Sequence, residues 1–416
     1  MERLEGSCII GQSGGPTAVI NASVLGCVEA ALRSDCIRKV YGAAHGITGV
    51  LNDRLYDLTI EDPAELARIK YTPSAILGSC RYKLADFMTD DTDYLRLLDA
   101  FRRYDVRYFF YVGGNDSMDT CSKISAFLAQ NDYACRIIGI PKTIDNDLVL
   151  TDHCPGYGSA AKYVATTCME VSLDAKVYNN GSVTVLEIMG RNAGWLTAAS
   201  ALACRKGLGP DLIYLPEIPF DLADFIADTA RAHERQRDVV VVVSEGIRDK
   251  NGDYISSYFS DISRNKDDFG HAQMGGLAAN LANFAHTKIG VKARGIELSL
   301  LQRCAAHVAS ATDIEEAYMA GRAAFEAAEA GAGDKMVAFT RADGPAYSCK
   351  TTLADLVDVA NAEKRVPREW INEAGNGLLQ PFVEYALPLI QGETALETED
   401  GLPRFAKLKK IAAREV

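Results

Sequence analysis

Apolar residues fall along this chain in short unbroken runs that alternate with longer stretches of three-to-four spacing. Runs at 8–10, 38–43, 108–112, 137–140, 183–189, 212–215, 239–243 and 336–339 read as strands, several of them trailed by glycine-rich turns. The run at 239–243 is all valine, the pattern of a strand buried on both faces, and predicts a central strand of a parallel sheet. After GGNDS at 113–117, Met118, Cys121, Ile124 or Ser125, and Leu128 recur at helical spacing, so that turn joins a strand to a helix lying on a sheet. Residues 313–332 predict another helix, with Asp and Glu in its first turn and a glycine stop. From about 335 a strand, a helix and a polar tail follow, and the tail is assigned no chemistry. The alternation is that of an α/β fold.

Length changes the picture in one respect. At 416 residues the chain exceeds what one hydrophobic core fills, which predicts two lobes. No apolar stretch is long enough to span a membrane and the start MERLEG does not read as a leader, so a cytoplasmic protein without membrane partners is expected. Eleven cysteines form no C-x-x-C pair, which favours reduced thiols over a disulfide framework or a zinc site. A formal charge of -12 argues against nucleic-acid binding, so any phosphate site must be built locally.

Three glycine-rich turns could build it: 11–21 (GQSGGPTAVIN), 112–120 (VGGNDSMDT) and 189–195 (MGRNAGW). Glycine lets backbone approach a ligand, and amides at a helix start donate to anions. None of the three matches the P-loop or the dinucleotide fingerprint. The run PKTIDND at 141–147 follows the apolar residues 137–140, and strand ends of this kind face the ligand crevice of an open α/β sheet. Asp145 and Asp147, two apart in an extended segment, would project to one side. One could serve as a base on a hydroxyl and one as an oxygen ligand for a divalent ion. An Asx-turn use of the same side chains stands beside that reading. Lys142 could hold an anion, and Asp116, a carboxylate beside a phosphate-cradling turn, needs a compensating cation, for which Lys142 is the candidate.

In this order and at these separations, SGG (Ser13, Gly14, Gly15), LGSCR (77–81), GGNDS, PKTIDND, MGR (189–191), SEG (244–246) and GHAQMGG (270–276) resemble the phosphofructokinase superfamily. The resemblance spans most of the chain. It implies two Rossmann-like lobes with mainly parallel sheets and the active site in the cleft between them. Residues 1–158 and about 273–332 would form the donor lobe, about 159–272 and 333–390 the sugar-phosphate lobe, and about 391–416 an extension. The implied reaction is Mg2+-dependent, reversible phosphoryl transfer to the 1-hydroxyl of fructose 6-phosphate in a homo-oligomer, dimer or tetramer. Asp145 becomes the base, Thr143 a contact to the transferring group, and Gly15, Arg81 and Gly114 donor contacts. Met189, Gly190, Arg191, Glu245 and His271 become sugar-phosphate contacts, with Asp147 on the metal side.

Departures from the ATP-dependent pattern matter as much. Asp116 and Lys142 stand where ATP-using members resemble one another in having glycine, so the added bulk and charge imply inorganic pyrophosphate as donor. His45, near the place of an adenine-stacking aromatic, agrees. Asn115, taken with Asp147 as the metal-site pair, stands where many members have a magnesium-linked aspartate, which implies a metal held through water, Asp147 or the pyrophosphate. Met274 replaces an arginine, and Ser182 stands where some members supply one across a subunit interface, so Lys292 and Arg294 are the substitute cations for the 6-phosphate. An ATP-dependent sugar kinase and a catalytically silent sugar-phosphate-binding subunit are the alternatives. Tyr157, His153 and Cys80 read as structural.

Overall fold

The computed structural model describes residues 3–177, 179–259, 276–344 and 346–414. A first sheet takes β1 (Gly6–Gln12), β2 (Ile37–Ala43), β3 (Leu55–Asp57), β4 (Val106–Gly113) and β5 (Arg136–Pro141) from the front of the chain. A second takes β6 (Ser182–Ile188), β7 (Leu212–Tyr214), β8 (Asp238–Ser244) and β9 (Ala293–Glu297), all parallel, in the order β7-β8-β6-β9. The chain then returns to the first sheet as β10 (Lys335–Arg341) and β11 (Cys349–Asp355), completing the order β11-β10-β5-β4-β1-β2-β3. Within this sheet only the edge strands β3 and β11 run antiparallel to their neighbours.

Every predicted strand exists, and the valine run forms β8, inside its sheet with five valines buried on both faces. The predicted helices are Asn115–Gln130, which buries Met118, Cys121, Ile124 and Leu128, and Ala311–Glu329. Pattern reading overlooked β3, β9 and β11, which are short, charged or half exposed.

Sheet membership departs from the expected lobe boundaries. Strand β9 belongs to the second sheet although 273–332 was expected in the first, and β10 and β11 belong to the first although 333–390 was expected in the second. The helix Ala311–Glu329 explains the return. It lies against the helix Ile20–Arg33 so closely that a Cβ on Gly26 would come within 2.0 Å of the Tyr318 carbonyl oxygen and one on Gly321 within 1.8 Å of that of Ser23. Ala320, Ala324 and Phe325 pack there with Ile10, Tyr108 and Phe110 of the first sheet. The next strand therefore adds beside β5, pairing Lys335 with Ile138 and Met336 with Gly139. Apolar pattern identifies a strand but not the sheet that receives it. The end of the chain runs along the outer edge of the first sheet, where Tyr56 bridges to Ala412 and Glu61 accepts the N–H groups of Lys409 and Lys410.

Candidate active site

Strands β1, β4, β5, β6 and β8 all deliver their carboxyl ends to one cavity of about 740 Å³ between the sheets. Carboxyl ends are where an open parallel sheet leaves room for a ligand. One wall is the first glycine turn with Gly14, Gly15 and Arg81, and a second is the start of the helix Asn115–Gln130 with Gly114, Asn115 and Asp116. The first N–H groups of that helix have no intrahelical acceptor, which suits them to an anion. The turn after β5 contributes Lys142, Thr143, Asp145 and Asp147 to the floor, and the second lobe contributes Met189, Arg191 and Glu245.

The PKTIDND turn is not extended. Asn146 takes a left-handed φ of 54° and is fully buried, its amide donating to the Tyr385 hydroxyl at 2.7 Å and accepting the Cys154 N–H at 2.9 Å. Both aspartates still reach the cavity, because the buried asparagine pins the tight turn between them. The Thr143 hydroxyl accepts the Asp145 N–H at 3.0 Å. Burial and the neighbouring Glu245 push the Asp145 carboxyl above the ordinary carboxylate range, partly offset by Arg191 and Lys142. Asp147 is pushed the same way by burial and by Asp145.

Lys142 is only 4% exposed, and its ammonium donates to the Gly15 carbonyl at 2.8 Å. It fills the space beneath the first glycine turn rather than pairing with Asp116: no ion pair joins those two among the described residues. The expected compensation is thus replaced by a shared cavity, with Arg81, Arg303 and Lys142 gathered on the side of the first turn.

Arg303 is the cavity-lining cation that sequence reasoning missed. It lines the cavity, and a Cβ on Gly15 would lie 3.0 Å from its guanidinium. Next to it Gln302 is buried and accepts the Met189 N–H at 3.2 Å. The signal was the QR pair of LSLLQRC just past β9. The GHAQMGG motif lies earlier in the chain, at 270–276. His271 and Met274 of that motif lie outside the described residues. Asn192, Tyr254 and Glu363 also line the cavity, and Arg248 donates to both the Asn192 side chain at 3.0 Å and the Tyr254 hydroxyl at 2.5 Å.

Lys292 and Arg294 do not line it. They border a separate depression with Asn283 and His286 at the amino end of β9, and Arg294 lies 3.6 Å from Asp174. Ser182, at the amino end of β6, bonds Asp238 at 3.0 Å, and exposed His45 is likewise absent from the lining. The loop 189–191 of the second lobe is held in place: the Gly190 N–H donates to the Glu245 carboxylate at 3.2 Å, and a Cβ on Gly246 would lie 1.9 Å from the Arg191 carbonyl oxygen, so the SEG glycine is sterically required.

Among the described residues, the cavity's carboxylates form no ready three-ligand cage. The trio that comes within 4.8 Å is instead His153, Glu316 and Cys349. There both ring nitrogens of His153 are already engaged, by Asp152 at 2.8 Å and Glu316 at 2.7 Å, and the ring stacks on Phe339. That arrangement is structural, as is Tyr157, wholly buried with its hydroxyl donating to the Trp195 carbonyl.

With this geometry in place, the family model described as Phosphofructokinase matches residues 7–296. The chain belongs to the phosphofructokinase family. Within that family it is 45% identical to the pyrophosphate--fructose 6-phosphate 1-phosphotransferase of Halomonas elongata, over 96% of this chain and 95% of that protein. It is 43% identical to the protein of the same name from Xanthomonas campestris, over 98% and 97%. The crystal structure of the pyrophosphate-dependent phosphofructokinase of Nitrosospira multiformis superposes with a TM-score of 0.90 at 38% identity, covering 99% of this chain and 98% of that one. A phosphofructokinase fold of two α/β lobes is therefore shared along the full length.

Proposed function

We propose that this chain transfers a phosphoryl group reversibly from inorganic pyrophosphate to the 1-hydroxyl of fructose 6-phosphate, giving fructose 1,6-bisphosphate and phosphate. The observation that carries the donor reading is Lys142, buried beneath the first glycine turn where a longer donor would need room, with Asp116 adding negative charge to the same cavity. A small, highly charged donor gains from that ammonium, whereas a bulkier nucleotide meets it as an obstacle.

In the proposed mechanism Asp145 accepts the proton of the sugar hydroxyl, and its raised pKa brings its basicity closer to that of the task. The glycine-turn amides, Lys142, Arg81 and Thr143 neutralise and orient the transferring group and the departing phosphate, which is most of what phosphoryl transfer needs. Arg191 and Glu245 hold the sugar, with Met189 and Gly190 shaping its loop, and Arg303 is the cation for a phosphate. His271 keeps its proposed contact to the 6-phosphate. Lys292 and Arg294 serve in this reading only across an interface between two copies of the chain.

Magnesium fits the donor set, since Asp116, Asp145, Asp147 and Glu363 offer hard oxygen atoms in one cavity. When bound it would neutralise charge on the phosphates, with Asp147 its proposed carboxylate. The lack of a ready cage among the described residues agrees with an ion that arrives with pyrophosphate and keeps several waters.

The test is direct. Purified protein with Mg2+, pyrophosphate and fructose 6-phosphate should produce fructose 1,6-bisphosphate and phosphate, followed by phosphorus NMR, and the reverse reaction should regenerate pyrophosphate. Binding of fructose 6-phosphate without turnover in either direction would overturn the proposal in favour of a silent binding subunit.

A further inference from the structure

Residues 361–366 run past the cavity from the first lobe to the second. Asn361, Ala362 and Glu363 line it, and the Glu363 charge helps keep the pKa of Asp145 and of Asp147 high. The next residue stitches the segment to the PKTIDND turn: the Lys364 N–H donates to the Asp147 carbonyl at 2.7 Å, and its ammonium donates to the Thr151 and Asp152 carbonyls at 3.1 and 2.8 Å. Its carbonyl accepts the Trp195 indole N–H at 2.9 Å. The Val366 N–H then shares one oxygen of Glu217 with the Gly194 N–H, at 3.0 and 2.8 Å. The strap is thus fixed to the second lobe and to the turn that carries the aspartates.

At its other end the strap meets Asn115. The Asn361 N–H donates to Asn115 Oδ1 at 2.6 Å, and Asn115 Nδ2 donates to the Ala362 carbonyl. These partners fix the amide's orientation, since a backbone N–H must meet oxygen and a carbonyl must meet N–H. An amide matches this donor and acceptor pair; a carboxylate would face the Ala362 carbonyl with a lone pair.

We infer that Asn115 is a positioning residue that latches the strap 361–366 to the start of the helix Asn115–Gln130, and so sets where Asp147 and Glu363 stand in the cavity. An asparagine, and not an aspartate, suits this place because the latch needs an N–H donor. The side-chain oxygen is engaged by the Asn361 N–H, so the role assigned to Asn115 is to hold the strap rather than to supply the principal metal ligand. The structural half of this inference is independent of the donor; only its kinetic arm rests on the proposed function.

The experiment is hydrogen exchange of full-length protein without substrate, comparing wild type, Asn115→Asp and Asn115→Ala. In Asn115→Asp the protection factors of the 361–364 amides should fall about tenfold at pH 8. They should partly recover near pH 4, where about half of an ordinary aspartate carboxyl is protonated and can donate again. Asn115→Ala, which lacks the repulsion, should lose less protection and show no recovery. In the kinetic arm kcat should fall in Asn115→Asp while calorimetric Mg2+ affinity does not increase. Unchanged protection in both variants would overturn the latch, and so would tighter Mg2+ binding by Asn115→Asp with wild-type kcat. If Asn115→Asp does not fold, Asn115→Ala alone decides by its 361–364 protection. A wild type that lacks turnover with pyrophosphate but keeps the exchange pattern separates failure of the donor reading from failure of the latch.

Discussion

The ammonium of Lys142 and the carbonyl of Gly15 are joined at 2.8 Å, so one buried cation ties the turn that carries the aspartates to the first glycine turn. Burial pushes the Lys142 pKa down to about 8. Its charge is therefore lost as pH rises through that value, and kcat/KM for pyrophosphate, which reports the unliganded enzyme, should fall above about pH 8. Lys142→Arg should remove that alkaline limb, since arginine stays charged. A limb unmoved in Lys142→Arg would assign it to another group.

On the acid side Asp145 must be ionised to accept a proton, and burial with Glu245 raises its pKa. Activity should climb with pH through a range above that of an ordinary carboxylate near ~4. Asp145→Asn should lower turnover roughly 10²–10⁴-fold in both directions while fructose 6-phosphate still binds, as read by calorimetry. Normal turnover would remove Asp145 from the base role.

The same raised carboxyls cost stability at neutral pH. Where the folded pKa is the higher one, the unfolded chain ionises first, so the favourable contribution holds at low pH and is lost as pH rises through the folded value. Asp147→Asn should then raise the unfolding free energy at pH 8 by about 1 kcal/mol, a modest figure because the carboxylate opens on cavity water, with a correspondingly higher melting temperature, and leave both nearly unchanged at pH 4. A variant less stable at pH 8 would show that contacts made by the ionised group outweigh its burial.

Arg303 should carry a phosphate. Arg303→Ala should raise the KM of pyrophosphate or fructose 6-phosphate at least tenfold, about 1.4 kcal/mol, and the substrate affected identifies which phosphate it meets. His45→Ala, outside the cavity, should leave both within roughly two-fold. Equal, small effects of the two substitutions would contradict the assignment.

Much of this was legible in the sequence, for identifiable reasons. Glycine turns and the PKTIDND run sit at strand ends, and a strand end in a parallel sheet has one direction to point, so Asp145 and the turns that hold Gly15, Gly114 and Arg191 were placed by pattern, while the choice of those three residues within the turns came from the family resemblance. Arg303 was obscured because one arginine after a short strand resembles many surface arginines until the fold brings it beside Gly15 and Lys142. Asn115 was legible as a departure but not as a latch, because its partners lie 246 and 247 positions away. Lys292 and Arg294 had the right charge, yet stand at the wrong end of β9 for this chain's own cavity.

Donor choice is the central claim, and one measurement addresses it most directly: kcat/KM for pyrophosphate and for ATP at saturating fructose 6-phosphate and Mg2+, in wild type and in Asp116→Gly with Lys142→Gly. Wild type should use pyrophosphate at least roughly 10³-fold better than ATP, about 4 kcal/mol, and the double variant should lose most pyrophosphate turnover while gaining measurable ATP turnover. Efficient turnover of ATP and none of pyrophosphate by the wild type would contradict the account.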